Sequence, residues 1–374
     1  MKSYVHIFYF ISKLLCNTLA TRIDYEVSLT LRYVKISRPN TYEFLERLKK
    51  IGTLYAPHKI SEKFYDFREV DDVKDVKFEY HRTIRPPRRF YYPEKEVLFT
   101  FDTRKVELYE NIPSDKKQIL FGVHSCDIVA LRTMDSKFMD DQPDPYYKAR
   151  RVNGIVIGLS CLPDEYCFCN VRRVEYVDTG FDLFFHELPD GYLVRVGTVV
   201  GHKLVDPYEG DLFEEVCPDD IENMSKFEEE RSSMFTTQGN WDNLRYFMEL
   251  RLNHQMYVRE SEKCLGCGNC TLTCPSCKCY DVQDIPSIDG RTGERIRFWD
   301  SCQFRSHGLV AGNYNFRETK QDRFHNRYQC KNSYCSDTTT SFCVGCGRCT
   351  YFCPADIQFK KNLMEIAGYK GGSP

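Results

Sequence analysis

From Leu31 onward, apolar residues recur at intervals that belong to folded elements. In "TYEFLERLKKIG" they stand at Tyr42, Leu45, Leu48 and Ile51 and the run closes on Gly52, which predicts a helix. Two unbroken apolar runs, "QILFGV" (Gln118–Val123) and "GIVIGLS" (Gly154–Ser160), predict buried strands. Between them "DIVALRTMDSKFM" (Asp127–Met139) places Ile128, Leu131, Met134 and Phe138 on one helical face. Strand, helix, strand is a βαβ unit, whose strands run parallel. "FDLFFHEL" and "YLVRVG", joined through Pro189-Asp190-Gly191, predict a hairpin.

This pattern divides the chain. Residues 31–205 read as an α/β domain, 206–263 as a charged, helix-compatible connector, and 264–366 as a second domain, with 1–30 a leader and 367–374 a frayed tail. The expected fold class is α+β: an N-terminal α/β domain with a βαβ unit, a helical connector, and a C-terminal two-cluster ferredoxin-like helical domain. The segment "RPPRRFYYPEKEVLFTF" (Arg85–Phe101) carries too many prolines for a helix. It reads as an extended surface crossing whose arginines face solvent or another subunit.

At 374 residues the chain builds ordinary cores, so its 19 cysteines are not needed as staples. Only Cys16 precedes Cys126, and most cysteines crowd into tight local spacings in the second half. In a long polar chain that favours metal ligation and a reducing compartment over a disulfide scaffold. A formal net charge of −2 offers no global attraction for nucleic acid. No apolar run reaches the roughly 18 to 20 residues of a membrane span. The leader "YVHIFYFISKLL" has the look of a weak signal peptide, but the cysteine spacing downstream argues against export, and a cytoplasmic protein is expected.

Cys264, Cys267, Cys270 and Cys274-Pro275 spell C-x2-C-x2-C-x3-C-P, and Cys343, Cys346, Cys349 and Cys353-Pro354 spell it again. This is the run that holds iron–sulfur clusters in bacterial ferredoxins, where the fourth cysteine ligates the other cluster. The expected ligand sets are therefore Cys264, Cys267 and Cys270 with Cys353, and Cys343, Cys346 and Cys349 with Cys274, each around one [4Fe-4S] cluster. Gly266, Gly268, Gly345 and Gly347 let the chain curl closely around them. A zinc ribbon, built from two C-x2-C pairs, lacks this unbroken run of four before proline. The competing function of another class is a zinc-binding regulatory or nucleic-acid-binding protein, and iron, sulfide and zinc analysis separates the two.

There is no G-x-G-x-x-G after a strand, no Walker A motif and no H-E-x-x-H. The chain is expected to be a non-catalytic electron conduit, with flavin, nicotinamide and active-site metal on partner chains. Cys126 and Cys161 fall just past the carboxyl ends of the two parallel strands, the edge where open α/β sheets place ligands. Cys167 and Cys169 follow in the same loop, so these four are the candidate ligands of a third iron–sulfur centre.

The strings "FGVHSCDIVALRTMDSKFMD", "DPYYKARR", "GIVIGLSCLPDEYCFCN" and "FDLFFHELPDG", the doubled run, and "WDSCQFRSHGLVAGNYNFR" together resemble the beta subunit of archaeal soluble sulfhydrogenases, from about Leu31 to Ile366. The resemblance implies a complex in which this chain passes single electrons between a flavin-containing gamma subunit, with FAD and NADP, and the nickel–iron hydrogenase small and large subunits. The electron-transfer subunit of anaerobic sulfite reductase is related in architecture and is the alternative identity. Residues 1–30 lie outside the resemblance and are expected to be dispensable. Cys277, Cys279 and Cys302 read as buried thiols beside a cluster, and Cys16, Cys217, Cys330 and Cys335 as free thiols without ligand spacing. The Arg- and aromatic-rich insert between the runs reads as a docking surface for a partner subunit. His124 and His186, at strand ends, read as core or hydrogen-bonded residues.

Overall fold

The computed structural model of the protein describes residues 32–113, 116–333 and 341–369. The leader at 1–30, Cys16, Cys335 and most of the tail lie outside the described residues. The described residues from Tyr33 onward cluster as one unit.

Two sheets organise the chain. The larger is built from β1 (Arg32–Ser37), β2 (Thr53–Lys59), β3 (Tyr65–Glu69), β6 (Gln118–Val123), β7 (Gly154–Leu159), β8 (Leu183–Glu187), β9 (Gly191–Val196) and β10 (Phe213–Glu214). Its order is β10-β1-β9-β8-β7-β6-β2-β3. At its centre β2, β6, β7 and β8 pair in parallel, as the apolar runs predict for strands buried on both faces. The helix Ser125–Phe138 returns the chain from β6 toward β7, with Ile128, Leu131 and Met134 almost wholly buried. A second helix, Pro145–Val152, completes the crossover. The expected hairpin is β8–β9, antiparallel in the register Phe185↔Val194.

The first helix, Arg38–Lys49, buries Leu45 and Leu48 as its spacing predicts, but the buried face is completed by other residues than Tyr42 and Ile51. Thr41, Phe44, Leu45 and Leu48 are buried, while Tyr42 and Ile51 are each 37 % exposed. The reason lies across the sheet: Phe44 meets the rings of Phe185 and Phe213 at 6.3 and 5.1 Å, and aromatic packing of this kind outweighs a marginal difference in helical periodicity.

The smaller sheet has the order β11-β12-β4-β5, from β4 (Lys95–Asp102), β5 (Glu107–Glu110), β11 (Tyr280–Pro286) and β12 (Thr292–Trp299). It joins strands that lie on either side of the connector in sequence. Part of the insert between the cysteine runs is therefore a β-hairpin seated on β4, not helix. A buried charge network fixes the joint: Arg297 donates to Glu96 at 2.6 Å and to Asp144, and Arg150 reaches the other Glu96 oxygen at 2.7 Å. The connector is helical, with Pro218–Ser233, Leu244–Leu250 and Gln255–Lys263 leading into Cys264. Among the described residues no helix is long and apolar enough to cross a membrane.

The arginines of Arg85–Phe101 correct the reading of that segment as a solvent-facing or docking stretch. Arg88 is 1 % exposed, its guanidinium lying 3.6 Å from the centroid of the Trp299 ring. Arg85 and Arg89 turn back onto the buried Asp66. Proline keeps the segment out of a long helix, but the carboxylate and the aromatic face waiting beneath draw the cations inward.

Candidate functional site

Each ferredoxin-type run is a loop that ends in a single helical turn. Gly268 and Gly347 stand at the N-caps of Asn269–Leu272 and Arg348–Tyr351 with φ of 76° and 73°, a left-handed geometry that glycine adopts without penalty. A Cβ on Gly345 would lie 2.5 Å from the Phe168 carbonyl oxygen, and one on Gly347 2.6 Å from that of Tyr166. The second run thus rests directly on the backbone of residues 166–169, and the Phe168 N–H donates to the Gly345 carbonyl at 2.9 Å.

Two small cavities open between the runs. One, of about 40 Å³, is lined by Cys264, Cys267, Cys270 and Cys353. The other, of about 20 Å³, is lined by Cys274, Cys343 and Cys346, and Cys349 borders both. The fourth cysteine of each run faces the cavity of the other. Backbone N–H groups already point at sulfur, Gly266 to Cys264 Sγ and Ile357 to Cys353 Sγ, both at 3.4 Å. Such bonds favour thiolate and tune cluster potential.

The cavities share one side chain that the sequence reading placed on a docking surface. Arg327, on the helix Lys320–Asn332, lines both and is 4 % exposed. It donates from Nη2 to the Cys270 carbonyl at 2.7 Å, while its Nε and Nη1 have no partner. Lys331, one turn on and 3 % exposed, reaches only the Ser276 carbonyl (2.9 Å) and hydroxyl (3.4 Å). An unpaired buried cation costs several kcal/mol, on the order of the desolvation penalty of one ion. A thiolate-ligated iron–sulfur core is a net anion and answers that need. Burial alone would raise the Cys274 thiol, but Lys331 and Arg327 bring it down to about 7. The donor set, the cavities and the uncompensated positive charge fit a pair of [4Fe-4S] clusters.

At the sheet edge, Cys126 begins the helix after β6 and Cys161 follows β7, as expected from their place in the βαβ unit. Cys126, Cys167 and Cys346 pack around Cys169, Val174 and Val344 in one apolar cluster, so the loop cysteines do fold back toward the strand ends. Burial pushes the Cys161 and Cys169 thiols up. Arg82 donates to Cys167 Sγ at 3.4 Å and pairs with Asp164. Arg231 donates to the Cys161 carbonyl at 2.8 Å. Between this set and the second run lies a fully buried ion pair, Asp127 with Arg348, two parallel bonds of 2.6 and 2.8 Å. Arg348 Nε also holds the Thr83 carbonyl at 3.0 Å. A cleft of about 780 Å³ reaches Cys161 from outside, lined also by Arg38, Tyr80, His81 and Lys226.

Among the described residues, no three His, Cys, Asp or Glu side chains converge on a point where one metal ion would sit. Thiolates on a single tetrahedral zinc stand about 3.8 Å apart, given Zn–S bonds of about 2.3 Å. The sulfurs of each run instead surround a void. His124 is buried and stacked on Tyr80 at 4.0 Å, and His186 lies 3.5 Å from Glu228, so both are structural. Cys217 caps the helix Pro218–Ser233, bonded to Asp220.

Comparison with known proteins agrees with this geometry. A family model for the 4Fe-4S dicluster domain matches residues 263–357. Sulfhydrogenase 2 subunit beta of Pyrococcus furiosus is 43 % identical over 337 residues, covering 90 % of this chain and 98 % of that protein. The chain belongs to the sulfhydrogenase beta-subunit family. Beta subunits of this family with a dicluster domain are iron–sulfur electron-transfer proteins, and this chain is one of them. No solved structure matches. Arg327, Lys331 and Arg88 are what the sequence reading missed; the one signal available was their place next to cysteine-rich text in a chain of near-neutral charge.

Proposed function

We propose that the chain carries single electrons along a line of three centres, from the cleft at Cys161 to the surface around Cys267. A [4Fe-4S] cluster, when bound, stores and releases one electron with little change of shape. The residues supply the rest. Cys126, Cys161, Cys167 and Cys169 hold the first centre; Cys343, Cys346, Cys349 and Cys274 the second; Cys264, Cys267, Cys270 and Cys353 the third. The observation that carries this order is the seating of the second run on residues 166–169, which puts Cys346 in the same apolar cluster as Cys126 and Cys167. The Asp127–Arg348 pair holds that junction rigid. Cys267 is exposed, so the last centre lies near solvent and a partner.

Membership of a sulfhydrogenase subunit family supports partners in a multi-subunit hydrogenase; in this reading they are a flavin-containing gamma subunit, carrying FAD and NADP chemistry, and nickel–iron small and large subunits, in a cytoplasmic complex. The cleft beside Cys161 suits the approach of one partner and the surface at Cys267 that of another. The test is the anaerobically purified chain with single cysteines replaced. Cys353→Ala removes the cluster signal belonging to Cys264, Cys267 and Cys270, and Cys126→Ser removes about four iron atoms without touching the ferredoxin-type pair. Loss from Cys353→Ala of the cluster held by its own run would end the crossed arrangement. Unchanged iron in Cys126→Ser would remove the first centre from the line.

A further inference from the structure

The two cavities between the runs differ in charge. Arg327 is the one charged side chain among the residues lining the cavity of Cys264, Cys267 and Cys270, the outer of the two because Cys267 is exposed. The inner cavity, of Cys274, Cys343 and Cys346, is lined by both Arg327 and Lys331. These cations stand on the helix Lys320–Asn332, one turn apart and so on one face of it. Lys331 donates to the Ser276 carbonyl at 2.9 Å and to its hydroxyl at 3.4 Å, and that hydroxyl lies 3.5 Å from Cys274 Sγ. Ser276 and Lys331 are 1 % and 3 % exposed, so bulk water does not screen the ammonium from the sulfur.

Nothing else around Lys331 cancels its charge. Among the described residues no carboxylate pairs with it, and the C-terminal carbonyls of its own helix offer only a partial negative charge. Burial works against an ammonium here, but the sulfurs of Cys274 and Cys277 outweigh it and hold the group above the ordinary lysine value. Arg348, in the same run as Cys346, is balanced by the two bonds to Asp127 and adds no net charge. On the outer side, the N–H groups of Gly266 and Ile357 lie 3.4 Å from Cys264 and Cys353 Sγ, and Cys267 meets solvent. Both features favour the reduced state of an outer cluster. A peptide dipole and a solvated surface nevertheless act more weakly than a whole charge in a water-excluded cavity.

We propose that Lys331 is a positioning residue for the electron: it makes the inner cluster the more readily reduced of the ferredoxin-type pair, so that a single electron rests there. The inference rests on the two clusters of the proposed function and adds an order of potentials to them. Negative charge added in the inner cavity faces two cations, and in the outer cavity only the shared Arg327. The step is the transfer of one electron from a reduced partner, with no bond made or broken and the Lys331 proton retained. An electron that enters at the surface near Cys267 therefore runs inward and downhill, and leaves again only when a partner of higher potential draws it.

The experiment is an EPR-monitored redox titration of the full chain, anaerobically purified with its clusters, with dithionite as reductant and iron analysis alongside. Cys267→Ser alters the outer signal and so assigns the two, whichever fourth cysteine completes each cluster. In the wild-type chain the inner signal is expected first as the potential falls. Lys331→Met should make the inner cluster about tenfold harder to reduce, a fall of about 59 mV for a one-electron couple, with the outer midpoint and the iron content unchanged. Lys331→Arg keeps the charge and should keep the wild-type midpoint. Lys331→Gln serves if the methionine variant does not hold its clusters, and the order of reduction in the wild-type chain needs no variant at all. An outer cluster reduced first, equal shifts of both midpoints, or no shift in either neutral variant would overturn the proposal. Cys353→Ala tests the ligand sets separately, so crossed ligation can fail while the order of potentials stands; absence of ferredoxin-type iron from the wild-type chain would overturn both.

Discussion

The ferredoxin-type half and the sheet-edge half both gather cysteines around buried cations, but they balance those cations differently. At the sheet edge Arg82 pairs with Asp164 and Arg231 with Glu228 at 3.2 Å, and the edge's Asp127 also takes Arg348 of the second run at 2.6 Å. Around the two runs, Arg327, Lys331 and Arg88 bond only to neutral oxygens. The sheet edge is thus electrostatically complete as folded chain, resting on a parallel sheet with its own apolar core. The ferredoxin-type half is complete only with anions inside it. A centre at the sheet edge would be an addition to a half already balanced, whereas clusters between the runs would supply the anions that the other half lacks.

The largest test of that contrast is metal removal. Stripping iron from the whole protein should abolish hydrogen-exchange protection in the helices Gln255–Lys263 and Lys320–Asn332, whereas β6 and β7 stay protected. Equal loss in both halves would break the comparison. Next in size is the junction. Arg348→Ala leaves Asp127 charged and buried and should cost about 3–5 kcal/mol, read as a lower unfolding midpoint of the iron-loaded protein. The double variant Arg348→Met with Asp127→Leu should recover most of it. If it does not, the guanidinium serves the cluster beside it more than the carboxylate.

The smallest effect sharpens the contrast in redox terms. Removing an unpaired cation beside a cluster disfavours the more negative reduced state, so Arg327→Met should lower the ferredoxin-type midpoint potentials by about 60 mV, a tenfold change for a one-electron couple. Replacing a balanced pair, Arg82→Met with Asp164→Leu, should move the sheet-edge centre by much less, because the net charge is unchanged. EPR-monitored redox titration reads both, and equal shifts would show that compensation is not what separates the two regions.

Much of this protein is written locally. The runs from Cys264 and Cys343 point to clusters because three cysteines follow one another at every third position and the glycines that permit the curl sit between them. The βαβ unit is equally legible, since strands buried on both faces are continuous apolar runs, and from it the placing of Cys126 and Cys161 at one sheet edge follows by topology. The face of the first helix was legible only in part: Leu45 and Leu48 are buried as the period requires, yet Phe44, not Tyr42 or Ile51, is the residue that meets Phe185 and Phe213.

What the tertiary structure alone decided are the contacts between distant segments. Arg88 reads as a surface arginine until a chain 189 residues away brings the Cys277 carbonyl to it. Arg327 and Lys331 belong to a basic, polar helix by composition, and only the packing of that helix between the runs makes them interior charges. Local spacing encodes ligands that one turn of chain can deliver. Ligands and counter-charges assembled across sheets depend on register and on burial energy summed over the whole fold, and neither is a property of any short stretch of sequence.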